Sequence, residues 1–258
     1  MNMENSILVS VITPSYNSAD FIAETIEAIQ AQTYTHWELL ITDDCSTDDT
    51  CKIISKYCEK DNRIKLFHLA PNGGAGKARN NSIKEAKGRF IAFCDSDDKW
   101  YPEKLERQIK FMIDNNYELT YTSYDVIDEI GTPIGKVKCL NKLSYRTLLR
   151  DNGIGCLTAM YDTRRIGKIY MPLIRKRQDW CLWLDIIKKT GYAYGLQERL
   201  SIYRERKNSI SANKIEMLHH NFRVYHEVEG YGKVASFILL MAYFMPYYIY
   251  KKIKNKLN

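Results

Sequence analysis

The sequence has no CxxC pair among its seven cysteines, and their spacing is not that of a metal knuckle. An odd number of unpatterned cysteines excludes a disulfide framework and fits a reducing compartment, most simply the cytosol. The N-terminus, Met1-Asn2-Met3-Glu4-Asn5, lacks the basic start and long apolar stretch of a signal peptide, so the protein is expected to stay where it is made. Internal repeats and low-complexity segments are absent, which excludes solenoids and disordered linkers. The basic runs lack interleaved aromatic residues, which argues against a nucleic-acid-binding surface.

What is there is a soluble globular composition, 45% hydrophobic and 27% charged, over 258 residues. That length buries a full core as one large domain, or as one domain with a short appendage. The net charge of +7 suits an anionic partner. Much of it gathers late, at residues 164–168, 175–177, 204–207 and 251–256, while acidic side chains cluster in the first half.

Over the first hundred residues, short β-branched runs alternate with amphipathic stretches, the pattern of βαβ units on a mostly parallel sheet. Strands are expected at 7–13, 37–43, 64–69 and 90–94, with helices near 19–32, 50–60 and 76–87. Each strand ends in polar residues at the carboxyl edge, where open α/β sheets bind ligands. A helix at 102–115 and a strand at 118–126 follow. Glycines and a proline in 128–162 predict a hairpin and mobile loops, and helix and strand return at 178–189 and 193–203. The apolar stretch 234–250 contains Pro246 and is about seventeen residues long, the lower limit for a bilayer span. The basic run directly after it makes an interfacial helix the expected reading, against a helix packed on the domain.

Cys94-Asp95-Ser96-Asp97-Asp98 places three carboxylates at the end of an apolar strand. Such crowding is costly without a cation, and carboxylates one residue apart can hold Mg²⁺ or Mn²⁺ on a diphosphate. The alternative is a solvated loop capping the next helix. Asp43-Asp44 and Thr13-Pro14-Ser15-Tyr16-Asn17 end neighbouring strands; a Tyr ring can stack on a pyrimidine while a carboxylate accepts its ring N–H. Taken singly, they read equally as a helix cap and a turn. The segment 72–79 carries the glycines of an anion-binding loop with Lys77 and Arg79, but its spacing excludes both a Walker motif and a dinucleotide fingerprint. In Arg177-Gln178-Asp179-Trp180, an acid lies among apolar residues at a helix start, a setting that suits either a general base or a helix cap. Arg204 and Arg206, in a run reaching Ser211, suit a clamp on a leaving diphosphate or a basic surface loop.

Together these segments resemble the family 2 glycosyltransferases of the GT-A fold, particularly bacterial enzymes of polysaccharide and O-antigen synthesis. The resemblance runs in order from residues 9–17 through Asp43-Asp44-Cys45-Ser46-Thr47-Asp48, Asn72-Gly73-Gly74 with Ala78-Arg79-Asn80, and the Asp95-Ser96-Asp97-Asp98 DXD segment, to Arg177-Gln178-Asp179-Trp180, covering about the first 210 residues. It implies a Rossmann-like, mostly parallel α/β sheet flanked by helices, with a nucleotide-binding half at 1–100, an acceptor-binding half at 101–215 and a helical membrane-associating tail at 216–258.

The resemblance further implies an inverting transferase that moves a hexose or N-acetylhexosamine from a UDP-sugar to a hydroxyl of a saccharide acceptor, lipid-diphosphate-linked. Tyr16, Asp44, Pro14, Asn17, Arg79, Asp95 and Ser96 would bind the nucleotide, with Asp95 at the ribose. Asp97 with Asp95 would hold Mn²⁺ or Mg²⁺, and Asp179 would be the catalytic base. Lys77, Arg177, Gln178, Trp180, Arg204 and Arg206 would serve diphosphate or acceptor. Two positions depart from the pattern: Cys45 replaces the usual Gly, and Arg206 stands where relatives often carry His, which puts metal contact there in doubt. The expected location is cytoplasmic, peripheral on the inner face of the cell membrane. The competing class is an inactive nucleotide-sugar or lipid-binding module of the same fold.

Overall fold

The computed structural model describes residues 7–206 and 214–257. The expected clamp residues Lys207 to Ser211 lie outside the described residues, and so do the side chains of Lys252, Lys254 and Lys256. The first hundred residues alternate as read from the sequence: β1 (Val9–Ser15), α1 (Ile22–Gln30), β2 (Trp37–Asp43), α2 (Thr50–Cys58), β3 (Ile64–His68), α3 (Ala75–Glu85), β4 (Phe90–Phe93) and a short β5 (Lys99–Trp100). Then come α4 (Lys104–Asn115), β6 (Leu119–Ile127), β7 (Pro133–Val137), β8 (Lys142–Ser144), α5 (Tyr145–Arg150), β9 (Met160–Asp162), α6 (Thr163–Ile166), α7 (Gln178–Thr190) and β10 (Tyr192–Arg204). The chain finishes in α8 (Lys214–Arg223), α9 (Lys233–Ile238) and α10 (Met245–Leu257).

The sheet runs β3-β2-β1-β4-β9-β6-β10-β5 and is continuous across residue 100. β1 and β2 bury all seven of their residues, as strands covered on both faces must. Alternate residues feed two cores. Val9, Val11, Leu39 and Ile41 pack with Ile22, Ile26 and Ile29 of α1, while Ile12, Leu40, Ile91 and Phe93 pack on the other face with Ile83 of α3 and the apolar side chains of α7. α7 buries Trp180, Cys181, Leu182, Trp183, Leu184, Ile186 and Ile187, so it is apolar nearly all round and runs through the core.

Segment 128–162 holds the expected hairpin, β6 with antiparallel β7, but it is more ordered than the glycines imply. It also supplies α5 and the three-residue β9, which pairs antiparallel with both β4 and β6 and joins the two halves of the sheet. A three-residue strand is too short to register as an alternating pattern.

This topology positions the site. Parallel register aligns Ser15 with Asp43 and Asp43 with His68, and β1 with β4, so these strand ends share one edge. β10 runs parallel to β6 and pairs antiparallel with β5 through Ser201 and Trp100, which delivers Arg204 to the loop holding Asp97 and Asp98.

Candidate active site

The carboxylates at the end of β4 divide into three environments. Asp98 points inward and is 2% exposed; its carboxylate accepts from the Arg204 backbone N–H at 3.0 Å. Burial, then the charges of Asp97 and Asp95, push its pKa well above the ordinary carboxylate range. Asp95 accepts from Arg79 Nη2 at 2.6 Å, and Asp97 from Arg206 Nη1 at 3.3 Å. Burial and the neighbouring Asp95 also raise Asp97, against the pull of Arg206. Asp95 and Asp97 are thus partly exposed oxygen donors separated by one residue, crowded enough that Asp95 penalises the charge of Asp97. A hard divalent ion takes that donor chemistry, so the residues fit Mn²⁺ or Mg²⁺. Ser96, between them, is half-buried.

Arg79 connects this group to Asp179. Its guanidinium is 8% exposed, and besides Asp95 it reaches Gln178 Oε1 at 3.4 Å, next to Asp179 in the first turn of α7. Burial works against its charge, but Asp95, Cys156 and Asp179 outweigh it and hold the guanidinium more firmly protonated than usual. Its Nε has no hydrogen-bond partner, although buried. Burial likewise pushes the Cys156 thiol up; Arg79 opposes this, while Asp95 and Asp179 add to it. Arg79 and Cys156 therefore both lie within reach of the charges of Asp95 and Asp179, with Asp97 two residues further along the β4 loop.

At the other end, Asp44 is buried and its two oxygens accept from the backbone N–H groups of Gly73 at 2.6 Å and Gly74 at 2.7 Å. Gly74, at φ 83°, caps α3 in a conformation that favours glycine. Asn17 uses Oδ1 to accept from the Thr47 N–H at 2.8 Å, which fixes the loop after β2 beside Tyr16. Tyr16 is 52% exposed and presents its ring, while Pro14 is buried in β1 opposite Thr42. Lys77 is exposed in the first turn of α3.

Three residues expected at the diphosphate or acceptor have protein partners of their own. Trp180 is 1% exposed, and its indole donates to the Leu148 carbonyl at 2.8 Å within the core. The Arg177 guanidinium donates to Asn221 Oδ1 at 2.8 Å, tying α7 to α8. Arg204 is buried and donates to the carbonyls of Asp97 and Glu129 and to the Glu24 carboxylate, so it braces the loop instead of facing the cleft. A sequence reveals the charge of an arginine but not which way its side chain leaves the strand.

Two residues escaped the sequence reading. Asn152 Nδ2 donates to Asp179 Oδ2 at 2.9 Å, and the Cys156 thiol feels the charges of Asp95 and Asp179. Both come from the loop around Gly153 and Gly155, and those glycines were the available signal.

The model of the family described as glycosyl transferase family 2 matches residues 10–166. The chain is 45% identical over 223 residues to a provisionally assigned teichuronic acid biosynthesis glycosyltransferase, TuaG, of Bacillus subtilis, covering 86% of this chain and 88% of that protein. It is 41% identical over 212 residues to the Escherichia coli UDP-Glc:alpha-D-GlcNAc-diphosphoundecaprenol beta-1,3-glucosyltransferase WfgD, covering 82% of each. Among solved structures, S. aureus TarS residues 1–349 with UDP superposes with a TM-score of 0.70 at 22% identity, covering 92% of this chain and 70% of that one. A Pyrobaculum calidifontis mannosyltransferase with GDP-Man and Mn²⁺ gives 0.67 at 18% identity, covering 90% and 69%. At such identities the likeness establishes the fold.

If Asn152 holds Asp179 in place, Asn152→Ala lowers kcat by between about tenfold and a hundredfold and leaves the donor KM unchanged. Steady-state kinetics decide this; an unchanged kcat removes Asn152 from the site.

Proposed function

This chain belongs to glycosyl transferase family 2, and from that membership we propose that it is an inverting enzyme transferring a hexose or N-acetylhexosamine from a UDP-sugar to a hydroxyl of a lipid-diphosphate-linked saccharide. The observation that supports the reading is Arg79, which donates to Asp95 and to Gln178 beside Asp179, so that a candidate donor carboxylate and a candidate base lie near one buried cation. The activity for which WfgD is named supports the donor, the acceptor class and the β product, and the TarS complex with UDP supports the donor nucleotide.

In this reading, residues 1–100 bind the donor and residues 101–215 the acceptor. The uracil ring stacks on Tyr16, near Asp44 and its bonded Gly73-Gly74 turn. The ribose meets Asp95, with Arg79 and Ser96 beside it. Asp97 with Asp95 would hold Mn²⁺ or Mg²⁺, which when bound would supply positive charge to the leaving diphosphate. Lys77, Arg206 and Gln178 remain as polar neighbours of that charge; Trp180, Arg177 and Arg204 are left out. Asp179 keeps one oxygen on Asn152 and takes the proton of the acceptor hydroxyl with the other. The freed oxygen attacks the anomeric carbon from the face opposite the leaving UDP. One displacement inverts the centre, so an α-linked donor gives a β-linked product.

The tail supports a peripheral place on the inner membrane face. Lys233–Lys251 is long and apolar enough to cross a membrane by length and composition. One side packs on the core through Leu240 and Phe244, while Val234, Phe237, Ile238, Met241, Ile249 and Ile253 are exposed. No acidic residue follows Glu229, and lysines crowd the end, so the exposed face suits an anionic lipid surface. Lys251 pairs with Asp151 at 2.8 Å, one residue before Asn152, so this helix lies beside the loop that contacts Asp179. A lipid-linked acceptor would arrive from that side.

Purified protein with Mn²⁺ should transfer from UDP-glucose, UDP-galactose or an N-acetyl form to a lipid-diphosphate saccharide. Asp179→Asn should lower kcat at least ~100-fold with UDP affinity little changed, and full activity would remove Asp179 from the mechanism. For the tail, Phe237→Asp with Met241→Asp should abolish co-sedimentation with phosphatidylglycerol vesicles while UDP binding persists. Undiminished co-sedimentation would reject the lipid-facing helix.

A further inference from the structure

Away from the β4 carboxylates, three chemically different side chains converge where β2, β3 and α2 meet. Asp43 ends β2, His68 ends β3 in register with it, and Cys51 lies in the first turn of α2. One donor atom from each lies within 4.8 Å of the others, and Cys51 Sγ is 3.9 Å from His68 Nδ1. The Asp43 carboxylate is oriented from behind: Oδ2 accepts from the Ser46 N–H at 2.8 Å, and Oδ1 accepts from the hydroxyls of Ser46 and, at 3.5 Å, Ser15. Such outer bonds orient a metal-ligating carboxylate and leave it lone pairs for an ion.

We propose that Asp43, Cys51 and His68 form a second metal site, distinct from the Asp95–Asp97 pair, that takes a borderline-soft divalent ion of the zinc class. A thiolate, formed as the ion displaces the Cys51 proton to solvent, makes with an imidazole and a carboxylate a tetrahedral N/S/O set with one position left for solvent, whereas Mg²⁺ and Mn²⁺ favour oxygen alone. Tetrahedral bonds put such donors about 3.5 Å apart, so the set closes by shifts of about 1 Å or less. His68 is exposed and Cys51 half-buried, so both side chains can make that movement without moving the strands. Cys45 stays outside the set, because its thiol donates to the Leu69 carbonyl at 2.9 Å.

The ion's place gives its role. It staples β2 to β3 and α2 one residue before Asp44, whose carboxylate holds the Gly73-Gly74 turn. It therefore stabilises this end of the sheet without touching the reacting groups.

Titration of the reduced full-length chain with Co²⁺, in excess Mg²⁺ to occupy the β4 carboxylates, reads the site directly. One equivalent should bind with a near-ultraviolet sulfur-to-cobalt charge-transfer band that Zn²⁺ displaces. Cys51→Ser should remove the band and His68→Ala should weaken Co²⁺ binding at least ~10-fold, while Cys45→Ser and Asp97→Ala keep it. Zn²⁺ should also raise the Tm of the wild type but not that of Cys51→Ser, a readout independent of the spectrum. A missing band, a band that survives Cys51→Ser, or a wild-type Tm that Zn²⁺ leaves unchanged overturns the proposal.

Discussion

A buried arginine between two acids organises this cleft. Arg79 is held by α3, whose start is fixed by the Asp44 bonds to Gly73 and Gly74, and its guanidinium lies between Asp95 at the end of β4 and Gln178 at the start of α7. Removing a guanidinium from water is costly, and the charges of Asp95 and Asp179 offset that cost. The positive charge of Arg79 acts on both Asp95 and Asp179. Two halves of the sheet, joined through β9, meet at this contact.

The DXD segment shows how identical side chains acquire different roles from backbone direction. Asp98 turns inward and anchors the Arg204 N–H, so the end of β10 is fixed against the β4 loop. Asp95 and Asp97 turn outward, each meeting one arginine that a substrate phosphate or a cation could rival. Arg204 and Arg206, two residues apart, divide in the same way: one braces the loop and the other touches Asp97.

Much of the fold was legible because parallel, doubly covered strands announce themselves. Trp37–Asp43 matches the expected strand end to end, and Gln178–Thr190 exceeds the expected helix by one residue. β5 and β9 were not legible, since two- and three-residue strands are defined by their partners and not by a pattern of their own. Strand-end residues such as Asp95, Asp97 and Asp44 could be expected at one edge because topology dictates where strand ends gather. The contacts of Trp180, Arg177 and Arg204 could not be read in advance, because orientation within a helix or loop depends on packing partners distant in sequence: Leu148, Asn221 and Glu24. Asn152 escaped notice for the same reason, being brought to Asp179 by a glycine-bearing loop without periodicity.

In the proposed function Asp97 would help hold a divalent cation that supplies charge to the donor diphosphate. Calorimetric titration with UDP, with and without Mn²⁺, on the wild type and on Asp97→Ala tests that most directly. The account predicts that Mn²⁺ strengthens UDP binding to the wild type and gives no gain in Asp97→Ala. Equal Mn²⁺-dependent affinity in both proteins would contradict it.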